Sequence, residues 1–292
     1  MQSPLIDMFL DTMDILDKGY YDIDGRRVPL KLSKAQMLHA SVLLPDEVAA
    51  LGRKADYPAR HVPSPCRFTC VNMDSYSLAR KRQQECGAFL AEEEVSKVLV
   101  LNLANPVNPG GGVRKGSRAQ EEDLCRKSSL LLSLESSEGS AYYLYNRALN
   151  TYMGSDAIIL TPDVEIIKDE NGALLPDSVV VSVMTCAAPM ITYGKEGMSD
   201  EEYEAMVYQR IVGMLRFAAS RGYRHLVLGA FGCGAFANDA RVVSALFRKA
   251  FDELDCGGLH TDDLFRQVDF AVLSRSADQY NYKCFHHCFC EG

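Results

Sequence analysis

The stretch from Val98 to Glu122 reads Val-Leu-Val-Leu-Asn-Leu-Ala-Asn-Pro-Val-Asn-Pro-Gly-Gly-Gly-Val-Arg-Lys-Gly-Ser-Arg-Ala-Gln-Glu-Glu. Its first six residues form a continuous apolar run, the pattern of a strand buried on both faces. Gly110, Gly111 and Gly112 follow, a backbone without side chains against which a ligand can lie. Gln120, Glu121 and Glu122 then open a helix expected over Arg118 to Leu132. A glycine loop leading into a helix N-terminus favours anions, phosphates above all, and paired carboxylates supply acid–base chemistry.

Outward from this unit, strand and helix patterns alternate. Strands are expected over Phe68 to Met73, Ala157 to Leu160, Val179 to Met184, Leu226 to Ala230 and Val268 to Leu273, with a turn-rich excursion from Asp169 to Asp177. A helix is expected over Ser75 to Leu90. Ser199 with Glu202 forms a capping box for a helix whose buried stripe is Tyr203, Met206, Val207, Ile211 and Leu215. A short helix closes the chain. This alternation predicts a three-layer α/β domain around a largely parallel sheet. Before it, residues 1–62 read as an accessory segment. It holds a helix over Pro4 to Leu16, a hairpin turning at Asp24-Gly25, and a Pro- and Gly-bearing linker over Leu51 to Pro65. The domain proper is expected over 63–292.

A second glycine loop, Gly229-Ala-Phe-Gly-Cys-Gly-Ala-Phe236, follows the Leu226 strand, and Asn238 is placed to cap the next helix. Ligands of open α/β sheets bind outside the carboxyl ends of strands. If the two strands are neighbours, the loops face each other and suit a diphosphate. Neither loop matches the mononucleotide or dinucleotide fingerprint. Each has a plainer reading: glycines after strands also make tight turns, and Ser117-x-x-Gln120 is itself a capping box, in which early glutamates complement the helix dipole. A helix N-terminus lowers a carboxyl pKa, whereas a neighbouring carboxylate raises it.

Composition narrows the classes. A net charge of −8 argues against a surface that tracks nucleic acid, so no direct nucleic-acid binding is expected. No apolar run reaches the roughly 18 residues of a membrane span, and the acidic first residues are not a signal peptide. Ten cysteines scattered through the chain then point to reduced thiols and a cytoplasmic protein. The tail Cys284-Phe-His-His-Cys-Phe-Cys290 lacks a second ligand pair at zinc-finger spacing and reads as core packing, so no metal is expected. Cys233 reads as a small loop residue rather than a nucleophile. Arg114, Lys115 and Arg118 flank the first loop, and the reading leans toward their meeting a phosphate.

The run Asn102 to Glu122, three glycines and then Gln-Glu-Glu, resembles the signature of the poly(ADP-ribose) glycohydrolases. Gly229 to Asp239 resembles the phenylalanine-bearing phosphate loop of the same macrodomain-like fold, and the whole chain is similar to the short microbial branch. The resemblance implies a mixed, largely parallel sheet and hydrolysis of the ribose–ribose bond of poly(ADP-ribose). It implies release of ADP-ribose without a cofactor. Glu122 would be the acid–base residue and Glu121 would hold ribose hydroxyls. Asn105 would contact the distal ribose with Phe236, and Gln120 would belong to the substrate site. Gly110, Gly111, Gly112, Gly232, Cys233, Gly234 and Ala235 would hold the diphosphate. ADP-ribose or its polymer is the expected partner, and an ADP-ribosylated protein remains open. So do a noncatalytic ADP-ribose reader and a hydrolase acting on a modified side chain or base. Acidity favours attack at a chain end.

Overall fold

The structure, a computed structural model, describes residues 3–53, 56–57, 65–87 and 97–291. Most of the expected linker and the end of the Ser75 to Leu90 helix lie outside them. The N-terminal segment holds helix α1 (Pro4–Lys18), hairpin strands β1 (Tyr20–Ile23) and β2 (Arg26–Pro29), helix α2 (Lys34–Leu38), strand β3 (Ser41–Leu43) and helix α3 (Pro45–Ala49). Asp24 and Gly25 both take positive φ, 51° and 76°, as a two-residue hairpin turn demands.

Next come β4 (Arg67–Val71), α4 (Ser75–Gly87), β5 (Leu99–Leu103), α5 (Gln120–Lys127), α6 (Leu130–Leu134) and α7 (Ser140–Leu149). The chain continues through β6 (Ile158–Lys168), β7 (Leu174–Cys186), α8 (Asp200–Ser220), β8 (His225–Leu228), α9 (Ala240–Asp252), α10 (Thr261–Leu264), β9 (Gln267–Ala271) and α11 (Tyr280–His286). The main sheet runs β3-β6-β7-β5-β8-β9-β4. The pairs from β7 to β4 are parallel, and β6 is antiparallel to both β7 and β3. The sheet is mixed and mostly parallel, with helices on both faces. In β5, Leu99 and Leu101 enter one core while Val100 enters the other, as the two-residue pleat requires.

Three local expectations are corrected. The turn-rich excursion after Asp169 is the tip of a hairpin, since β6 and β7 pair directly. The helix expected over Arg118 to Leu132 is two helices. Ser128 turns extended and bridges Ile166, and the Ser129 N–H donates to the Glu165 carbonyl at 3.1 Å. Serines that bond the backbone break a helix in this way. Asp239, not Asn238, caps α9, its side chain accepting from the Arg241 N–H at 2.8 Å. The Ser199 capping box forms as expected. The N-terminal segment also reaches the sheet, because β3 pairs with β6 at one edge.

Candidate active site

Strands β5 and β8 are parallel neighbours, with Leu99 opposite Leu226 and Val100 opposite Val227. The two glycine loops therefore emerge side by side. A cleft of about 1230 Å³ opens there, bounded by Gly232, Gly234, Ala235 and Phe236 on one side and by Leu103, Arg118 and Gln120 on the other.

The first loop does not offer its N–H groups to the cleft. Gly111 donates to the Asn108 carbonyl at 3.0 Å, Gly112 donates to Glu122 Oε1 at 2.8 Å, and the Gly110 N–H bonds Glu121. The expected phosphate cradle is thus a carboxylate cradle. Gly111 sits at φ 54°, and a Cβ there would lie 2.5 Å from Glu122 Oε1. Only a residue without a side chain lets the loop close on the acid.

Helix α5 is pinned to β5 by Gln120. Its Oε1 accepts from the Leu103 N–H at 2.8 Å, and its Nε2 donates to the Leu101 carbonyl at 2.7 Å and to Ser75 Oγ at 3.1 Å. The amide expected in the substrate site is committed to the protein. The Ser117 capping box does not form either, since Ala119 occupies the cap position. Ser117 instead closes the loop, its N–H on the Gly112 carbonyl at 3.2 Å and its own carbonyl held by Arg126 Nη1 at 2.6 Å.

The two glutamates are buried, 2% and 7% exposed. Glu121 Oε2 accepts from the Asn105 N–H at 2.7 Å and Oε1 from Asn102 Nδ2 at 3.3 Å. Burial nevertheless raises its pKa to about 8, with the nearby Glu122 adding to the shift and the hydrogen bonds opposing it. Glu122 keeps Oε1 on the Gly112 N–H, while its buried Oε2 has no hydrogen-bond partner among the described residues. The Asn105 side-chain oxygen accepts from the Val107 and Asn108 N–H groups at 3.0 and 2.8 Å, shaping the loop.

The second loop is held by its carbonyls. Asn238 Nδ2 donates to the Gly232 carbonyl at 2.9 Å and, outside the loop, to that of Pro189 at 2.8 Å, and its Oδ1 accepts from the Tyr203 hydroxyl. Asn281 Nδ2 holds the Cys233 carbonyl at 3.1 Å, and the Thr192 hydroxyl donates to that of Ala235 at 2.9 Å. Among the described residues, the N–H groups of Gly234, Ala235 and Phe236 have no protein acceptor. The Cys233 thiol turns toward the Phe231 carbonyl, and burial pushes its pKa far above the usual thiol range, which removes thiolate reactivity.

Of the flanking basic residues, Arg118 lines the cleft, but Arg114 Nη2 donates to both carboxylate oxygens of Glu135, at 2.7 and 2.8 Å. Asp74, which also lines the cleft, uses Oδ1 to accept from the Tyr76 and Ser77 N–H groups. In the tail, Phe285 and Phe289 are buried and both histidines contact Glu291. Asn102 and Arg126 were not singled out from the sequence. A polar residue inside the apolar β5 run was the available signal for Asn102.

Residues 10–169 match the model for the catalytic domain of microbial-type PARG. The chain belongs to that family. A poly(ADP-ribose) glycohydrolase structure from Thermomonospora curvata is similar with a TM-score of 0.85 and 30% identity, over 98% of this chain and 99% of that one. The same enzyme bound to the inhibitor ADP-HPD gives 0.81 and 29%, over 96% and 97%. The Deinococcus radiodurans glycohydrolase in complex with ADP-ribose gives 0.74 and 29%, over 88% and 97%. No curated protein sequence matches. Family membership makes the chain a glycosidase of poly(ADP-ribose) on a macrodomain-like fold.

Two predictions come from this geometry. Gly111→Ala displaces the Glu122 carboxylate, and kcat is expected to fall about a hundredfold. A kcat equal to the parent's, measured by ADP-ribose release, would show that the close approach is unimportant. The raised pKa of Glu121 means that the folded state keeps its proton while the unfolded chain loses it above about 4.5. Its contribution to stability is present below that value and is lost as pH rises through about 8. The melting temperature of Glu121→Gln should therefore gain on the parent's between acidic and alkaline pH. A difference independent of pH would contradict the raised pKa.

Proposed function

We propose that Glu122 is the acid–base residue in cleavage of the ribose–ribose O-glycosidic bond of poly(ADP-ribose), releasing ADP-ribose from the chain end. The observation that carries this reading is the division of labour within one carboxyl group. Oε1 is fixed by the Gly112 N–H, and among the described residues Oε2 has no hydrogen bond to compete with the leaving oxygen. Cleaving an anomeric bond needs a proton on the leaving oxygen and stabilisation of an oxocarbenium-like centre. The same carboxylate then activates water.

The other roles follow from which groups are uncommitted. The N–H groups of Gly234, Ala235 and Phe236, with Gly232 beneath them, receive the diphosphate. The Phe236 ring packs on the distal ribose, which Asn105 meets through its amide NH2. Glu121, although its oxygens already hold three N–H donors, keeps lone pairs that accept from ribose hydroxyls. Gln120 acts by setting α5 against β5 rather than by touching substrate. Residues 1–62 serve as an accessory segment to the domain of residues 63–292.

A noncatalytic reader would need the second loop but has no use for a carboxyl group held in this way. An ADP-ribosylated protein side chain is the second substrate class that the same acid would serve. Among the described residues, no helix is long and apolar enough to cross a membrane. The free cysteines, several of them buried, agree with the cytoplasmic location that we propose.

Glu122→Gln is expected to lose turnover on poly(ADP-ribose) while still binding ADP-ribose; retained turnover would remove Glu122 from this role. End-directed cleavage is checked by the first products from long polymer. Free ADP-ribose should precede oligomers, and early oligomers would reverse the assignment.

A further inference from the structure

Two large aromatic side chains stand exposed where the two site loops meet. Tyr152 is 50% exposed and Tyr193 is 73% exposed, with ring centroids 5.1 Å apart and planes inclined at 48°. Among the described residues, neither hydroxyl makes a hydrogen bond. Exposed aromatics held side by side suit a planar ligand more than they suit stability.

The pair is built rather than incidental. Glu196, at φ 50°, clamps the Tyr152 segment by accepting from the Thr151 hydroxyl at 2.6 Å and from the Tyr152 N–H at 2.8 Å. The Met190 N–H donates to the Tyr152 carbonyl at 2.9 Å, joining the segments a second time. Each segment also touches one site loop. The Ile191 N–H bonds the Phe236 carbonyl at 3.0 Å. On the other side, a Cβ on Gly154 would lie 3.7 Å from Pro106 Cβ, beside Asn105. The two segments that carry the rings thus adjoin the Phe236 backbone and Pro106, the neighbour of Asn105, and Phe236 and Asn105 are the two residues assigned above to the distal ribose.

We propose that Tyr152 and Tyr193 form a stacking platform for the adenine of the polymer unit on the far side of the scissile bond. This rests on the polymer reading above. The distal ribose bears the bond to be cleaved, and the ribose across that bond carries an adenine. An aromatic platform just beyond the distal-ribose contacts meets that base, and base–aromatic stacking tolerates a solvent-facing site. ADP-ribose alone has no base there. The platform therefore separates polymer from the single nucleotide.

The test uses the Glu122→Gln protein, so that the ligand survives, and compares calorimetric binding of a short ADP-ribose oligomer with that of ADP-ribose. Adding Tyr152→Ala or Tyr193→Ala should weaken the oligomer about tenfold and leave ADP-ribose affinity unchanged, and Tyr193→Trp should retain oligomer binding. Oligomer affinity equal to the parent's overturns the platform. So does an equal loss for both ligands, which would place the rings in the ADP-ribose pocket or in the scaffold. The polymer reading fails separately, if wild-type protein releases no ADP-ribose from polymer.

Discussion

The hydrogen bond from the Gly112 N–H to Glu122 Oε1 is the contact on which the site depends. A carboxyl group that is 7% exposed has lost most of its water and needs hydrogen bonds from the protein in exchange. Here the backbone of a glycine loop supplies one to Oε1, while Oε2 has none among the described residues. The neighbouring Glu121 is treated differently, with three N–H donors and still a raised pKa. Adjacent residues on a helix point about 100° apart, so one loop serves both without making them equivalent.

The two glycine loops look alike in sequence and are used in opposite ways. The first spends its donors on the protein's own carboxylates. The second spends its carbonyls on Asn238, Asn281 and Thr192 and leaves donors toward the cleft. The direction of a peptide group decides whether a glycine turn holds an acid or receives a phosphate. Composition does not encode that direction.

The fold was legible because apolar runs such as Val98 to Leu103 have few alternatives, and because the Ser199 capping box carries its own geometry. The joint pattern of two loops and Gln-Glu-Glu likewise brought the right elements together. What the sequence could not show were competitions between near-equal partners. Ser128 leaves its helix for a bridge to Ile166, and Asp239 displaces Asn238 at a cap because Asn238 has three carbonyls to serve. Gln120 reads as a site residue from the motif, yet its amide completes the edge of β5. β3 is only three residues long, too short for alternation to reveal.

Helix α5 has only eight residues, and a helix that short is marginal without tertiary support. Its position must come from outside. Gln120 fixes its first turn to β5, and Arg126 in its last turn holds the Ser117 carbonyl of the loop. The N-terminal helix supplies a third brace, the Thr12 hydroxyl donating to the Arg126 carbonyl at 2.5 Å. Thr12 is itself held by Lys168 Nζ at 2.6 Å, a 2%-exposed ammonium that also reaches Asp11 and the Met8 carbonyl. Burial lowers the Lys168 pKa, and its pairing with Asp11 opposes that shift. A buried cation is tolerated when acceptors surround it, and these acceptors come from α1. The accessory segment is therefore tied, through Lys168 and Thr12, to the helix that carries both glutamates.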